Sequence, residues 1–209
     1  MYRLTVLAIS LFLFFGAYHT AEASEISTSS LISDLQKGGY ILYVRHGDAT
    51  VGVDQPDFSL TDCSTQRNLS ALGKEQAEKY GHAIRKLNIP VHFPVEASPL
   101  CRTLQTAQIA FGAQNVKENT FWLNIYKLSQ NLDTENINST IQAFTNEVEQ
   151  TSPTNSNRLI VAHSFPSGLG LGELSSMETF IIKPLGDHKG YQVVGKLKLE
   201  DVLQQAGMS

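Results

Sequence analysis

Residues 40–48 read Tyr40-Ile41-Leu42-Tyr43-Val44-Arg45-His46-Gly47-Asp48. Ile41 to Val44 is an unbroken apolar run of strand length, preceded by Gly38-Gly39 and followed by Gly47. Runs of this kind suit a central strand covered on both faces, where alternation with polar residues is lost. The run ends abruptly in an arginine and a histidine. In open α/β sheets, ligands bind just outside the carboxyl ends of the strands. A cation and a nucleophile at that place suit an anion that undergoes chemistry.

The same architecture recurs downstream. Leu159 to Ala162 is a second buried run, and His163 stands at its carboxyl end before the turn Ser164-Phe165-Pro166-Ser167-Gly168. Between the two runs lie two helices with clear starts. Ser70 is placed to cap a helix whose inward face is Ala77, Tyr80, Ile84 and Leu87, and Asn88-Ile89-Pro90 ends it. Ser98 and Pro99 are expected as N-cap and first helical residue of the next, with Gly112 at its end. Arg102 then falls in the first turn, where helix N–H groups and dipole favour anions. Residues 48–67 are rich in Asp, Gly, Ser and Thr and read as a long loop on the ligand side.

Further elements complete an α/β pattern. Leu31, Ile32 and Leu35 begin a short helix. Residues 91–97 and 115–123 hold short strand candidates, the first made irregular by Pro94. Residues 133–151 form an amphipathic helix with Ile137, Ile141, Phe144 and Val148 on one stripe. Residues 179–184 and 191–197 read as a hairpin around 186–190, and 199–206 as a closing helix.

The first 23 residues have the pattern of a secretory signal. Arg3 supplies the basic start, Leu4 to Phe15 the apolar stretch, and Ala21-Glu22-Ala23 the small residues a peptidase reads. That stretch is short for a membrane span, which needs about 20 residues. The expectation is an exported chain (periplasmic, cell-wall or secreted) with one domain over 24–209 and no membrane span after cleavage. A net charge of −4 argues against nucleic acid or an anionic membrane as partner. The 42% hydrophobic content is sufficient for a core.

Three motifs stand in fixed order. They are Arg45-His46-Gly47, Leu69-Ser70-Ala71-Leu72-Gly73-Lys74-Glu75-Gln76-Ala77, and Ser98-Pro99-Leu100-Cys101-Arg102-Thr103-Leu104-Gln105-Thr106-Ala107; His163 follows a later strand. Together, over roughly residues 40–184, they resemble the histidine phosphatase superfamily, also called phosphoglycerate-mutase-like. The resemblance implies a three-layer α/β/α sandwich with a mostly parallel central sheet. It also implies phosphoryl transfer through a phosphohistidine on His46, with Arg45, Arg102 and His163 around the phosphate and no metal or other cofactor. Gly47 is expected to let the backbone turn tightly beside the phosphate, and Ser164 to border it.

The general acid is less defined. Many relatives use a Glu between the second arginine helix and the second histidine strand, and another branch uses an Asp directly after that histidine, where this chain has Ser164. Asp133, Glu173 and Asp48 are the candidates here. A weak acid would favour substrates with easy leaving groups, such as anhydrides, aryl phosphates or phosphohistidine. The expected partner is a small phosphorylated substrate. The competing readings are a non-catalytic phosphate- or phosphosugar-binding module and a phosphomutase. Cys63 and Cys101, the two cysteines, are expected to pair in an exported chain, tying the long loop to the Arg102 helix; the alternative is two buried thiols.

Overall fold

The computed structural model describes residues 27–130 and 132–208; the candidate signal segment lies outside them. A six-stranded sheet forms its centre. The strands are β1 (Ile41–Arg45), β2 (Val95–Ala97), β3 (Val116–Glu118), β4 (Arg158–Ala162), β5 (Thr179–Pro184) and β6 (Tyr191–Leu197). Their order is β3-β2-β4-β1-β5-β6. The first four in that order run parallel, and the β5–β6 hairpin adds two antiparallel strands beyond β1. The sheet is therefore mostly parallel. The two most apolar strands, β1 and β4, lie side by side at its middle, with Tyr43 opposite Ile160 and Arg45 opposite Ala162.

Alternation along β1 divides the core in two. Leu42 and Val44 face a layer containing helices α1 (Thr28–Leu35), α2 (Ala71–Lys86), α3 (Cys101–Phe111) and α6 (Leu199–Gln205). Ile41 and Tyr43 face Trp122, just before α4 (Leu123–Lys127), Phe144 and Val148 of α5 (Thr134–Val148), and Phe165 of the turn after β4. These four apolar side chains of β1 are at most 1% exposed. Burying such side chains contributes about 1.5–3 kcal/mol each, so the sheet centre is where this fold gains most. The result is the three-layer α/β/α sandwich. Among the described residues, no helix is long and apolar enough to cross a membrane.

Sequence and structure differ at the start of α3. Ser98 does not cap it; the N-cap position is Leu100, with no side-chain cap bond. Ser98 instead directly follows β2 and turns its hydroxyl to His163. The helix entry is stabilised otherwise: Thr103 Oγ1 donates to the carbonyls of Ser98 and Leu100. Ser70, by contrast, caps α2 as expected, accepting from the Gly73 N–H at 3.0 Å. Only residues 95–97 of the 91–97 candidate form a strand, after a cis Phe93–Pro94 bond.

Candidate active site

Arg45, His46, Arg102 and His163 meet at the carboxyl ends of the parallel strands. They line one cleft of about 360 Å³, with Arg67, Tyr126, Ser164 and Glu173 also on its wall. The two imidazoles lie edge to face with ring centres 5.6 Å apart. His46 and His163 are 5% and 4% exposed, so both are reached only through the cleft.

The tautomer of His46 follows from its neighbours. Its Nδ1 lies 2.7 Å from the Gly47 carbonyl, which can only accept, so Nδ1 carries the proton. Nε2 then keeps its lone pair, and Arg102 Nε donates to it at 3.3 Å. Burial, then the charge of Arg102, depress the His46 pKa to about 3; the Gly47 carbonyl opposes this. Burial likewise holds His163 well below the ordinary range, helped by His46 and the two arginines. Both rings are neutral at pH 7. His163 Nε2 is 2.9 Å from Ser98 Oγ, and Tyr43, buried beneath the site, donates its hydroxyl to the His163 carbonyl at 2.8 Å. Arg45 is anchored through Nη1 on the Leu174 carbonyl.

The remaining motif residues brace this group. Gly47 and Gly73 bring the β1 turn and the start of α2 into backbone contact. A Cβ on Gly47 would lie 2.5 Å from the Gly73 oxygen, and one on Gly73 would lie 2.0 Å from the Asp48 oxygen. Gly47 therefore serves close packing, and its N–H donates to Thr106 Oγ1 at 3.1 Å. Gln76 Oε1 accepts from the Asp48 N–H, and Ser70 Oγ donates to the Asp48 carboxylate at 2.6 Å. Thus Ser70, Gly73, Gln76 and Thr106 hold the residues that follow His46 in place. Spacing within each helix made the motifs visible; only the packing of α2 and α3 on β1 shows their common target.

The proton-donor candidates are dispersed. Asp133 caps α5, accepting from the Asn136 N–H at 2.8 Å, and is not on the cleft wall. Asp48 is engaged with Ser70 as above. Glu173 lies on the cleft wall and is exposed. Ser164 borders the cleft, where its hydroxyl accepts from the Leu174 N–H and donates to the Phe165 carbonyl. Cys63 and Cys101 form a disulfide, which fastens the long loop to the first residue of α3.

Three groups at the site have no site role assigned from the sequence. Arg67 precedes the Leu69-Ser70 motif by two residues, a placement that could have flagged it. Tyr126 lies with its ring 5.3 Å from the Arg102 guanidinium carbon. Asp54, in the middle of the long loop, forks onto Arg102 with oxygens 2.9 and 3.1 Å from Nη1 and Nη2. No local pattern distinguishes Asp54 from the other acids of that loop.

Comparison with known proteins agrees with this geometry. Residues 41–124 match the histidine phosphatase superfamily, branch 1. The phosphoserine phosphatase of Entamoeba histolytica, solved with 3-phosphoglyceric acid, is similar in structure: 16% identity over 78% of this chain and 99% of that one, with a TM-score of 0.53. The protein histidine phosphatase SixA, solved with tungstate, has 16% identity over 78% and 99%, with a TM-score of 0.49. No curated protein matches the chain. The chain has the histidine phosphatase fold.

Proposed function

We propose that the protein is an exported phosphatase that hydrolyses a small phosphate monoester or anhydride through a phosphohistidine on His46. The observation that carries this reading is the orientation of His46. Its Nδ1–H is committed to the Gly47 carbonyl, which leaves the Nε2 lone pair facing a cleft walled by three arginines. Pure anion binding has no use for an unprotonated nitrogen there, since imidazolium would bind phosphate better.

In the proposed reaction Nε2 attacks phosphorus and the P–O bond to the leaving group breaks. Arg45 and Arg102 hold the equatorial oxygens, where transition-state charge resides. His163 Nε2 is engaged with Ser98 Oγ; in the tautomer this reading requires, Ser98 donates and His163 Nδ1–H donates to the phosphoryl group. Water then attacks the phosphohistidine, phosphate departs, and His46 returns to its neutral tautomer. Glu173 is the carboxyl on the cleft wall best placed to protonate the leaving oxygen and to take the proton of the attacking water. Its exposed position leaves it loosely held beside the leaving oxygen, which favours substrates with good leaving groups.

The test is aryl-phosphate hydrolysis by the protein and by His46→Ala, both with chelator present. The expected result is turnover that survives the chelator and falls by about 1,000-fold or more in the variant. Equal turnover in both proteins, with phosphate still bound, would sink the phosphohistidine route and leave the binding-module reading.

A further inference from the structure

We propose that Asp54 is the positioning residue of this site: it holds the Arg102 guanidinium by its end so that its side edge faces the phosphate. The kinetic part of this inference rests on the phosphatase reading; the geometric part does not.

A guanidinium has five N–H donors in a rigid plane. Those of Arg102 divide cleanly. One hydrogen of Nη1 and one of Nη2 point outward together from the end of the group, and Asp54 takes both, at 2.9 and 3.1 Å. The other Nη1 hydrogen goes to the Arg67 carbonyl at 3.2 Å. This leaves Nε–H and the second Nη2–H, which lie side by side on one edge. Nε–H points at His46 Nε2, at 3.3 Å. This edge, with Nε–H on the nucleophilic nitrogen and one Nη2–H beside it, therefore faces the position where a phosphoryl group in line with the nucleophile would present its oxygens. Asp54 occupies the fork that the substrate does not need.

The carboxylate is itself held. The Tyr126 hydroxyl donates to Oδ2 at 2.8 Å, and the Arg67 N–H to Oδ1 at 2.7 Å. The Tyr126 ring also covers the guanidinium. The side chains of Arg102 and Asp54 are 3% and 5% exposed, so this ion pair is shielded from solvent. Removing one partner of such a pair leaves the other unpaired, and the arginine side chain becomes free to turn. The Cys63–Cys101 disulfide joins the loop carrying Asp54 to the residue next to Arg102 in the chain. Loop and helix cannot drift apart while that bond is intact.

A competing role makes the opposite prediction. If Asp54 were a stand-in for phosphate, the substrate would displace it, and removing its charge would raise both phosphate affinity and turnover. A positioning role predicts a split. Turnover falls, because Arg102 is no longer aimed at the transition state, while phosphate affinity is kept or rises as a negative charge is lost.

The experiment has two arms. In the first, the wild-type protein is crystallised with inorganic phosphate. Asp54 still forked on Arg102, with phosphate on the Nε/Nη2 edge, is expected; phosphate in place of the Asp54 carboxylate overturns the proposal. In the second, Asp54→Asn and Asp54→Ala are compared with wild type for aryl-phosphate kcat, calorimetric phosphate affinity and melting temperature. A kcat lower by about tenfold or more, with undiminished phosphate affinity, is expected. Unchanged or higher kcat overturns the proposal. So does a fall of kcat in step with phosphate affinity and melting temperature, which is the mark of a merely structural residue. Should wild-type turnover prove independent of His46, the phosphatase reading fails, and the phosphate-bound structure alone still decides the role of Asp54.

Discussion

The two halves of the cleft are built on different principles. Arg45, His46 and His163 sit at the ends of adjacent central strands, and the turn after His46 is clasped by α2 and α3 through Ser70, Gly73, Gln76 and Thr106. Asp54 and Arg67 come from a 48–67 loop whose tip is open, with Val51 and Val53 fully or largely exposed. One half gains its precision from the core, the other from a disulfide and a few charged contacts. A catalytic nucleophile needs the first kind of support. A residue that aims another side chain can be supplied by the second.

Acid should test the core-built half most severely. With its pKa lowered to about 3, His46 binds no proton in the folded state where the unfolded chain, near 6.5, already does. The unfolded state then binds more protons, so stability decreases as pH drops. On the order of 5 kcal/mol from His46 alone is lost between about pH 6.5 and 3. Urea unfolding at a series of pH values checks this, and a flat profile down to pH 4 would show that the ring is not held neutral. Over the same range, protonation of His46 should not limit turnover.

The loop-built half should respond to its staple. Cys63→Ser with Cys101→Ser opens a closure of 38 residues, expected to cost about 4 kcal/mol on the chain-entropy account. Chemical denaturation reads the loss. If the two halves are as distinct as their packing suggests, His46-dependent turnover should fall less than stability does.

The tightest seam within the core-built half is the Gly47–Gly73 contact. Gly73→Ala places a methyl group against the Asp48 backbone, which cannot yield as a side chain could. A loss of about 3 kcal/mol is expected, with turnover reduced as the His46 turn shifts. A neutral melting temperature would mean that the seam is looser than drawn. The smallest effect belongs to Arg67, a cleft-wall residue whose Nε donates to the exposed Thr50 carbonyl. Arg67→Ala should raise KM by about tenfold or less with kcat little changed, because it meets the substrate before and during the reaction alike.

This contrast also explains what could be read in advance. β1, β4, α2 and the hairpin were legible because burial and helical spacing leave a periodic mark on the chain. Arg45, His46, Arg102 and His163 were legible because they end such elements or sit in a helix's first turn. Asp54 and Tyr126 were not, since their significance is a contact across 72 residues and neither neighbours a periodic element that points to it. Ser98 was placed correctly and given the wrong task. Its hydroxyl is equally suited to a helix N–H and to an imidazole, and only the approach of β4 beside β2 decides between them.

The Cys63–Cys101 bond also divides the chain into segments of unequal covalent consequence. A peptide cleavage anywhere between 64 and 100 would leave both pieces bound together, and they would migrate as one species on a non-reducing gel. A cut in the exposed stretch around Val51 and Val53 lies outside that ring and would put Arg45 and His46 on one covalent fragment and Arg102 and His163 on the other. A protease that reaches this loop tip therefore leaves the nucleophile tied to half of its cradle only by the packing of β1 in the sheet, whereas a nick in the longer ringed segment leaves the covalent tie intact.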